Sequence, residues 1–335
     1  MHEVDYTFSK GSRTEESYMR IVSLLAGMAL AGTVAAQNYP AQPIKMISPF
    51  PPGGSVDIMA RLIADPLAAQ LKGHIVVENR SGASGNIGME AAARSAPDGY
   101  TIVLNTIPLV TNQSLFPKLT WDPLKDFAPI GMVATAPHVL VVPRRLDVNN
   151  VQDLLKLARA NPGKLTYASA GYGTTFHFAA EMFKDITKTF IVHVPYRGGG
   201  PALVDTISGQ VDMSFPTLSA AVPHVKAGNV KALAITGATR SDLLPDVPTM
   251  KEAGVPDFVF VQWLALLAPA NTPREIVTKL NTSLNTALGS TQVRQKFEEQ
   301  GFEPFATSPD ETGKFLAGEV KRYASLIKTK GIKLE

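Results

Sequence analysis

Ser169, Thr174 and His177 fall within nine residues of one another, in the stretch Ser169-Ala170-Gly171-Tyr172-Gly173-Thr174-Thr175-Phe176-His177. Hydroxyls that near an imidazole raise nucleophilic catalysis first, with His177 as base to Ser169 or Thr174. The rest of the chain withholds the usual company of such a pair. There is no G-x-S-x-G elbow and no G-x-x-x-x-G-K-[ST] loop, and Gly171-Tyr172-Gly173 lacks a third glycine at the dinucleotide spacing. Cysteine is absent, which excludes a thiol nucleophile, a disulfide framework and a Cys-ligated metal. The six histidines, at 2, 74, 138, 177, 193 and 224, show no H-E-x-x-H pair or other metal spacing, so neither a metal nor a cofactor is expected. His177 then reads first as a packing residue near a helix start, with base and ligand donor as its alternatives.

A second chemistry needs no nucleophile. Four glycine-bearing loops, 50–55, 80–86, 169–174 and 195–201, each follow a strand pattern and precede a helical one. A helix start offers unpaired backbone N–H groups and a partial positive charge, and glycine lets an anion come close to them. In open α/β sheets, ligands bind beyond the carboxyl ends of the strands. Two such loops from each of two domains, facing across a cleft, would cage a carboxylate. One loop alone is merely a tight turn, but four in the same context favour the cage. Asp57 lies near a helix start, where a carboxylate favours the dipole. Arg80 and Arg197 sit in or beside the loops and could clamp a carboxylate, although each taken singly reads as a solvated charge.

The elements that must position these loops follow from the apolar spacing. Residues 44–50 read as a strand, and Val56, Met59, Ile63 and Leu67 recur at helical spacing, with Ser55 as N-cap and Pro66 set to kink or split the helix. Strands at 74–77 and 101–104 enclose a helix at 86–95. The grammar repeats with strands at 165–168, 191–194, 211–215 and 230–236 and helices at 174–184 and 201–208, the last with Pro201 at its first position and Gly209 past its end. Strand–loop–helix alternation predicts parallel α/β sheets. Residues 139–142 and 258–268 are assigned to two crossings between domains. The tail, 273–335, reads as amphipathic helix with Ile276, Leu280, Leu284 and Leu288 on one face.

Length and composition agree with this plan. The chain has 335 residues, of which 45% are hydrophobic and 18% charged, enough for two domains with real cores. A net charge of +3 gives no footprint for nucleic acid. Met19-Arg20, the apolar run 21–36 and the small-residue exit Val34-Ala35-Ala36 read as a secretory signal peptide, with translation starting at Met19 and cleavage near Ala36. That run is short of the roughly 20 residues of a membrane span. Domain 1 is then 37–138 with 264–335, and domain 2 is 139–263, in a mature periplasmic chain.

An ordered series of blocks sharpens the reading. It comprises Pro49-Phe50-Pro51-Pro52-Gly53-Gly54-Ser55-Val56-Asp57 with Arg61, Glu78-Asn79-Arg80-Ser81-Gly82-Ala83-Ser84-Gly85-Asn86-Ile87-Gly88, and Pro97-Asp98-Gly99-Tyr100-Thr101. It continues through Tyr167-Ala168-Ser169-Ala170-Gly171-Tyr172-Gly173-Thr174 with His177, Val194-Pro195-Tyr196-Arg197-Gly198, Leu244-Pro245-Asp246-Val247-Pro248-Thr249, Glu252-Ala253-Gly254, Trp263 and Ala268-Pro269. From about residue 40 to the C-terminus the series resembles the solute receptors of tripartite tricarboxylate transporters, the Bug family. The resemblance implies a periplasmic binding protein fold, in which two α/β domains joined by two crossing strands close by a hinge on a ligand in the cleft. It implies binding without catalysis, by a monomer with no cofactor, of di- and tricarboxylates, acidic amino acids, nicotinate or aromatic carboxylates. One carboxylate is typically held by backbone amides and ordered waters. By position this points to Pro52, Gly53, Gly54, Asp57, Gly85 and Asn86 in the first domain. In the second it points to Ser169, Gly171, Thr174, His177 and Tyr196, beside Arg197. Phe50, Tyr172 and Phe215 are candidates for an apolar ligand body. Phe215-Pro216-Thr217 lacks the Asp or Asn that many members carry there, which favours an amine-free acid. The implied partner is the transporter's membrane permease. The alternatives are the outer domain of a sensor kinase as partner, or a periplasmic hydrolase using Ser169 or Thr174 with His177.

Overall fold

The computed structural model describes residues 39–330, so the expected signal peptide, its start at Met19 and its cleavage near Ala36 lie outside the described residues. The elements described here all belong to a unit that begins at Gln42. Its first part is β1 (Ile44–Ser48), α1 (Ser55–Leu71), β2 (Ile75–Asn79), α2 (Asn86–Ala93), β3 (Thr101–Asn105), α3 (Pro108–Leu115) and β4 (Phe127–Pro137). Then come β5 (Val139–Pro143), α4 (Val151–Ala160), β6 (Thr166–Ser169), α5 (Thr175–Thr187), β7 (Val192–Pro195), α6 (Gly199–Ser208), β8 (Met213–Ser214), α7 (Leu218–Lys226) and β9 (Val230–Ile235). The chain ends with β10 (Val261–Pro269), α8 (Arg274–Gly289), α9 (Thr291–Glu299), β11 (Glu303–Pro304) and α10 (Pro309–Lys330).

These strands form two sheets, in the orders β11-β4-β10-β3-β1-β2 and β7-β6-β8-β5-β9. Both share one plan. The first βαβ strand lies between the next two and runs parallel to them: β1 between β2 and β3, and β6 between β7 and β8. The loops that follow these strands therefore leave each sheet at its carboxyl edge. The expected wholly parallel sheets are corrected to mixed ones. β10 runs antiparallel to β3 and β4, and β5 runs antiparallel to β8 and β9. A crossover helix enforces parallel pairing, and β5 and β10 arrive from the other sheet without one.

Other expectations shift locally. α1 runs unbroken through Pro66, because Val56, Met59, Ala60, Ile63 and Leu67 bury one continuous face on either side of it. Its N-cap is Gly54 rather than Ser55. α6 starts at Gly199, which puts Pro201 third in the helix, while Gly209 ends it in the left-handed conformation as expected. The tail divides into α8, α9 and α10, with Ile276, Leu280, Leu284 and Leu288 all buried on one face of α8.

The passages between the sheets meet at one level. β4 ends at Pro137 and β5 begins at Val139, so the crossing is His138 itself, and the run 139–142 lies inside the second sheet. The other passage lies between Ile235 and Val261, with most of 258–268 inside the first sheet as β10. His138 N–H donates to Thr236 Oγ1 at 2.7 Å, and His138 C=O accepts the Thr236 N–H at 2.9 Å. Thr236 Oγ1 in turn donates to Phe260 C=O at 2.6 Å, and Thr236 C=O accepts the Phe260 N–H at 2.9 Å. The fully buried His138 ring lies edge-on to Phe176 and Phe260, at 5.8 and 5.4 Å, and neither ring nitrogen has a hydrogen-bond partner. Burial alone pulls its pKa down to about 3.

The unfolded chain takes up a proton at this imidazole below about pH 6.5, whereas the folded chain refuses it until about pH 3. His138 therefore costs stability as pH falls through that window. We expect His138→Phe to match or exceed wild-type stability at pH 7.5, since both unpaired nitrogens go. Its unfolding free energy, from urea titrations, should then pull ahead of wild type by about 1.4 kcal/mol per pH unit towards pH 4. Parallel pH profiles would contradict this.

Candidate functional site

The carboxyl-end loops of both sheets enclose a cavity of about 270 Å³. One side is lined by residues 50–56, Thr106 and Pro108. The other is lined by Ala170, residues 174–176, residues 199–201, Leu203, Val204, Thr217, Ala220 and His224. Among these described lining residues there is no Asp, Glu, Lys or Arg. What reaches the cavity instead is the starts of five helices, α1, α3, α5, α6 and α7. Their N-cap positions, Gly54, Ile107, Thr174, Gly198 and Thr217, make no side-chain cap.

Of the helices whose starts lie away from the cavity, α4, α9 and α10 are capped by side chains, whereas α2 and α8, with Gly85 and Pro273 at the N-cap, are not. Asn150 accepts the Asp153 N–H at the start of α4, and Ser290 accepts the Val293 N–H at the start of α9. Ser308 and Glu311 form a reciprocal box at the start of α10. Thr174 and Thr217 could cap but are turned away: Thr174 Oγ1 donates to Gly171 C=O at 2.7 Å, and Thr217 Oγ1 pairs with Ser219 Oγ at 3.1 Å. At α1, α5, α6 and α7 first-turn amides are thus without a side-chain acceptor around one space, an arrangement suited to receiving an anion. At α3 Pro108 has no N–H, and the Leu109 and Val110 N–H groups are taken by Thr106 C=O and Ile107 C=O at 2.9 Å each. Thr106 lines the same space, and its buried Oγ1 has no partner among the described residues. Ser48 Oγ and Asn105 Nδ2, at the same ends of β1 and β3, are buried without partners among the described residues too. Buried polar atoms are costly to leave unpaired, so these are places for a ligand or bound water to satisfy.

The surrounding polar side chains hold the loops in shape. Asp57, 3% exposed, accepts the Gly53 N–H at 3.0 Å, Asn79 Nδ2 at 2.8 Å and Arg61 Nε at 3.0 Å. Burial pushes its carboxyl up, but the bonds from Arg61, Gly53 and Asn79 outweigh that and hold it below the usual carboxylate range. Asp57 therefore fixes loop 50–54 and is not itself among the lining. Asn86 Oδ1 accepts Asn112 Nδ2 at 2.7 Å, and Asn112 Nδ2 also donates to Ser84 C=O at 3.0 Å. Thr111 Oγ1 donates to Gly173 C=O at 3.0 Å. α3 so ties the loop after β2 to the loop after β6. Thr111 and Asn112 escaped the sequence reading; the signal was a Pro-led run, Pro108-Leu109-Val110-Thr111-Asn112, whose polar pair is fully buried.

Ser169, Thr174 and His177 do not assemble as a nucleophile and base. Ser169 Oγ lies 2.6 Å from His193 Nε2 and accepts the Gly171 N–H at 3.1 Å. His177 Nδ1 accepts the Gly173 N–H at 3.1 Å, and its ring stacks on His193 at 4.5 Å. Burial pulls His177 down to about 4 and His193 down to about 3, so both stay neutral at neutral pH. A second hollow, of about 760 Å³, shares Phe50, Pro51 and Ala170 with the first and takes in Gly85, Gly171, Tyr172, Tyr196 and Arg197. Tyr196 OH donates to Asp205 at 2.7 Å, and burial together with that carboxylate pushes it up to about 12. Of the expected residues, Phe50, Pro52, Gly53, Gly54 and Thr174 line the first cavity. Gly85, Gly171, Tyr196 and Arg197 line the second hollow, which Phe50 also borders. Asp57, Asn86, Ser169 and His177 sit behind these walls. Phe215 lines neither space: it is fully buried against Phe183 and Phe258, at 5.7 and 6.0 Å. Arg80 pairs with Glu78.

Comparison with known proteins agrees with this architecture. Residues 59–332 match the family described as "Tripartite tricarboxylate transporter family receptor". The chain is 41% identical to protein BugT of Bordetella pertussis over 313 residues, 93% of this chain and 96% of that one. Among solved structures it resembles Rpa4515 of Rhodopseudomonas palustris with adipate, at TM-score 0.85 and 38% identity, covering 88% of this chain and all of the other. It also resembles MatC of the same organism with bound malate, at TM-score 0.79 and 31% identity, covering 86% of this chain and all of the other. The chain belongs to the tripartite tricarboxylate transporter receptor family. It has the periplasmic binding protein fold and is a solute-binding receptor rather than an enzyme.

The packing of α3 on the loop after β6 gives a direct check. A Cβ at Gly173 would lie 2.6 Å from Leu115 Cδ1 and 3.0 Å from Asn112 Oδ1, at a φ of +75°. We expect Gly173→Ala to lower stability by about 1–3 kcal/mol in urea unfolding. Gly200→Ala, with nothing within 4 Å of its new methyl, should stay within about 0.5 kcal/mol of wild type.

Proposed function

We propose that this receptor captures a small amine-free organic acid, a di- or tricarboxylate or an aromatic carboxylate, and delivers it in the periplasm to the permease of a tripartite tricarboxylate transporter. The observation that carries the reading is the convergence of four helix starts with open first-turn amides, those of α1, α5, α6 and α7, on a cavity with no Asp, Glu, Lys or Arg among its described lining residues. A carboxylate there accepts several N–H bonds without an opposite charge, and exclusion of water strengthens each bond. An amino acid would bring an ammonium group that no lining carboxylate can meet. Rpa4515 was solved with adipate and MatC with malate, both simple dicarboxylates, which supports the same class here.

The proposed cycle is closure of one lobe, 37–138 with 264–335, on another, 139–263, about the level of His138, Thr236 and Phe260. A ligand touching both lobes stabilises the closed form by its differential affinity. The protein acts as a monomer, exported by an N-terminal leader.

A thermal-shift panel on protein stripped of ligand under denaturing conditions and refolded tests this. Mono-, di- and tricarboxylates and aromatic acids should include at least one that raises the melting temperature with concentration, ahead of glutamate and aspartate. Silence across all carboxylates, or glutamate or aspartate outperforming every simple acid, overturns the proposal. Thr106→Val should weaken the best acid about tenfold, near 1.4 kcal/mol, while ligand-free stability is unchanged or higher.

A further inference from the structure

The cavity's lining is of two kinds. One is the helix starts, with Thr106 and Thr217. The other is a wall of side chains further along α6 and α7, Leu203 and Val204 from the first and Ala220 and His224 from the second, with His224 about 10 Å along α7 from Thr217. Ala220 and His224 are four residues apart and so share a face of α7. Val204 is 60% exposed, which places this wall at the cavity's outer side. Among the described lining residues, His224 is the one titratable side chain. Its Nδ1 lies 3.4 Å from Asn229 Nδ2, which leaves Nε2 without a partner among the described residues.

No other charged group in the surrounding helices is free to serve the cavity. Asp57 of α1 is taken by Gly53, Asn79 and Arg61, and Asp205 of α6 accepts Tyr196 OH. Lys226 of α7 and Lys184 of α5 are outside the lining. We infer that His224 is a specificity-determining residue that reads the far end of the ligand. The preferred acid then has one carboxylate on the helix starts, an apolar body along Phe176, Leu203 and Val204, and a second carboxylate at His224 Nε2. The inference rests on the carboxylate reading above and narrows it to acids carrying an anion at each end. The bland role for His224 is to favour the carboxyl end of α7, whose last turn it shares with Lys226. That role concerns stability and does not discriminate between ligands.

Titration calorimetry on the stripped full chain separates the two, using acids paired with the same acid lacking its far carboxylate: adipate with hexanoate, and terephthalate with benzoate. In whichever pair binds, wild type should prefer the dicarboxylate at least tenfold. His224→Leu should bring that ratio close to one by weakening the dicarboxylate, with the monocarboxylate held within twofold. His224→Gln, which keeps a donor, should retain part of the preference. An unchanged ratio in His224→Leu, equal losses for both members of a pair, or a wild-type preference for the monocarboxylate overturns the inference and leaves the receptor reading standing. So does binding of other carboxylates with neither pair. Failure of every carboxylate on wild type overturns the carboxylate reading itself, and this inference with it.

Discussion

A backbone N–H in the first turn of a helix has no partner within that helix and must find one in water, a side chain or a ligand. At α4, α9 and α10 the partner is a side chain one turn back, and those helix starts lie away from the cavity. At α1, α5, α6 and α7, which reach the cavity, it is not, even where Thr174 and Thr217 stand in the capping position. Their hydroxyls are drawn instead to Gly171 C=O and Ser219. An uncapped start forgoes roughly a few tenths of a kcal/mol where glycine stands at the N-cap, as Gly54 and Gly198 do, and about 1 kcal/mol where a threonine hydroxyl is diverted. Concentrated around one space, the open amides suit a group that accepts several N–H bonds at once. The two sheets with parallel carboxyl ends, the glycines in the loops and the absence of lining charges all serve this arrangement. A lysine in the wall would provide a point charge on a flexible stem, whereas fixed amides provide partial charge with direction.

Amides aimed at a ligand must be held by something that does not itself fill the site. Asp57 does this for the first loop from behind, with three donors on its carboxylate. Ser169, His177 and His193 do it for the loop after β6. Their neutral rings stack, and their nitrogens and hydroxyl take up the Gly171 and Gly173 amides. Burial keeps both imidazoles uncharged, and the nearby Lys184 ammonium, which adds to the effect, is paired with Glu181. The same residue types that would make a hydrolase are here used as scaffolding. What distinguishes the two uses is which nitrogen is already bonded, and to what.

The glycine-bearing loops were legible in the sequence because φ > 0 and close approach admit few residue types, and Gly53, Gly171 and Gly209 all take positive φ. The helical faces of α1 and α8 were legible from spacing alone. Strand direction was not. Val139 to Val142 and Trp263 to Ala268 are fully buried runs, and a buried strand looks the same read in either direction. Phe215 looked like a ligand contact because it sits one residue past β8, yet its ring turns into the core between Phe183 and Phe258. α3 was missed because its eight residues mix apolar and polar side chains that are almost all buried, which leaves no amphipathic period to detect. Asp57 was found by position, since sequence shows that a carboxylate is near a helix start but not which donors reach it: Gly53, Asn79 and Arg61.

The cavity and the passage between the sheets share a wall. Phe176 lines the cavity, and its ring lies edge-on to His138, the single residue between β4 and β5. On its other side His138 meets Phe260, which is bonded to Thr236 on the return passage. A ligand body pressed on Phe176 would therefore reach, through His138, both passages that join the sheets. Close-packed aromatic contacts of this kind do not deform gradually. In the proposed closure, filling the cavity would favour one packing of Phe176 on His138 and Phe260, and emptying it would remove that preference. The unpaired imidazole suits such a place, because a hydrogen-bonded side chain would tie the passage to one partner, whereas a neutral ring held by packing alone lets the segments shift together.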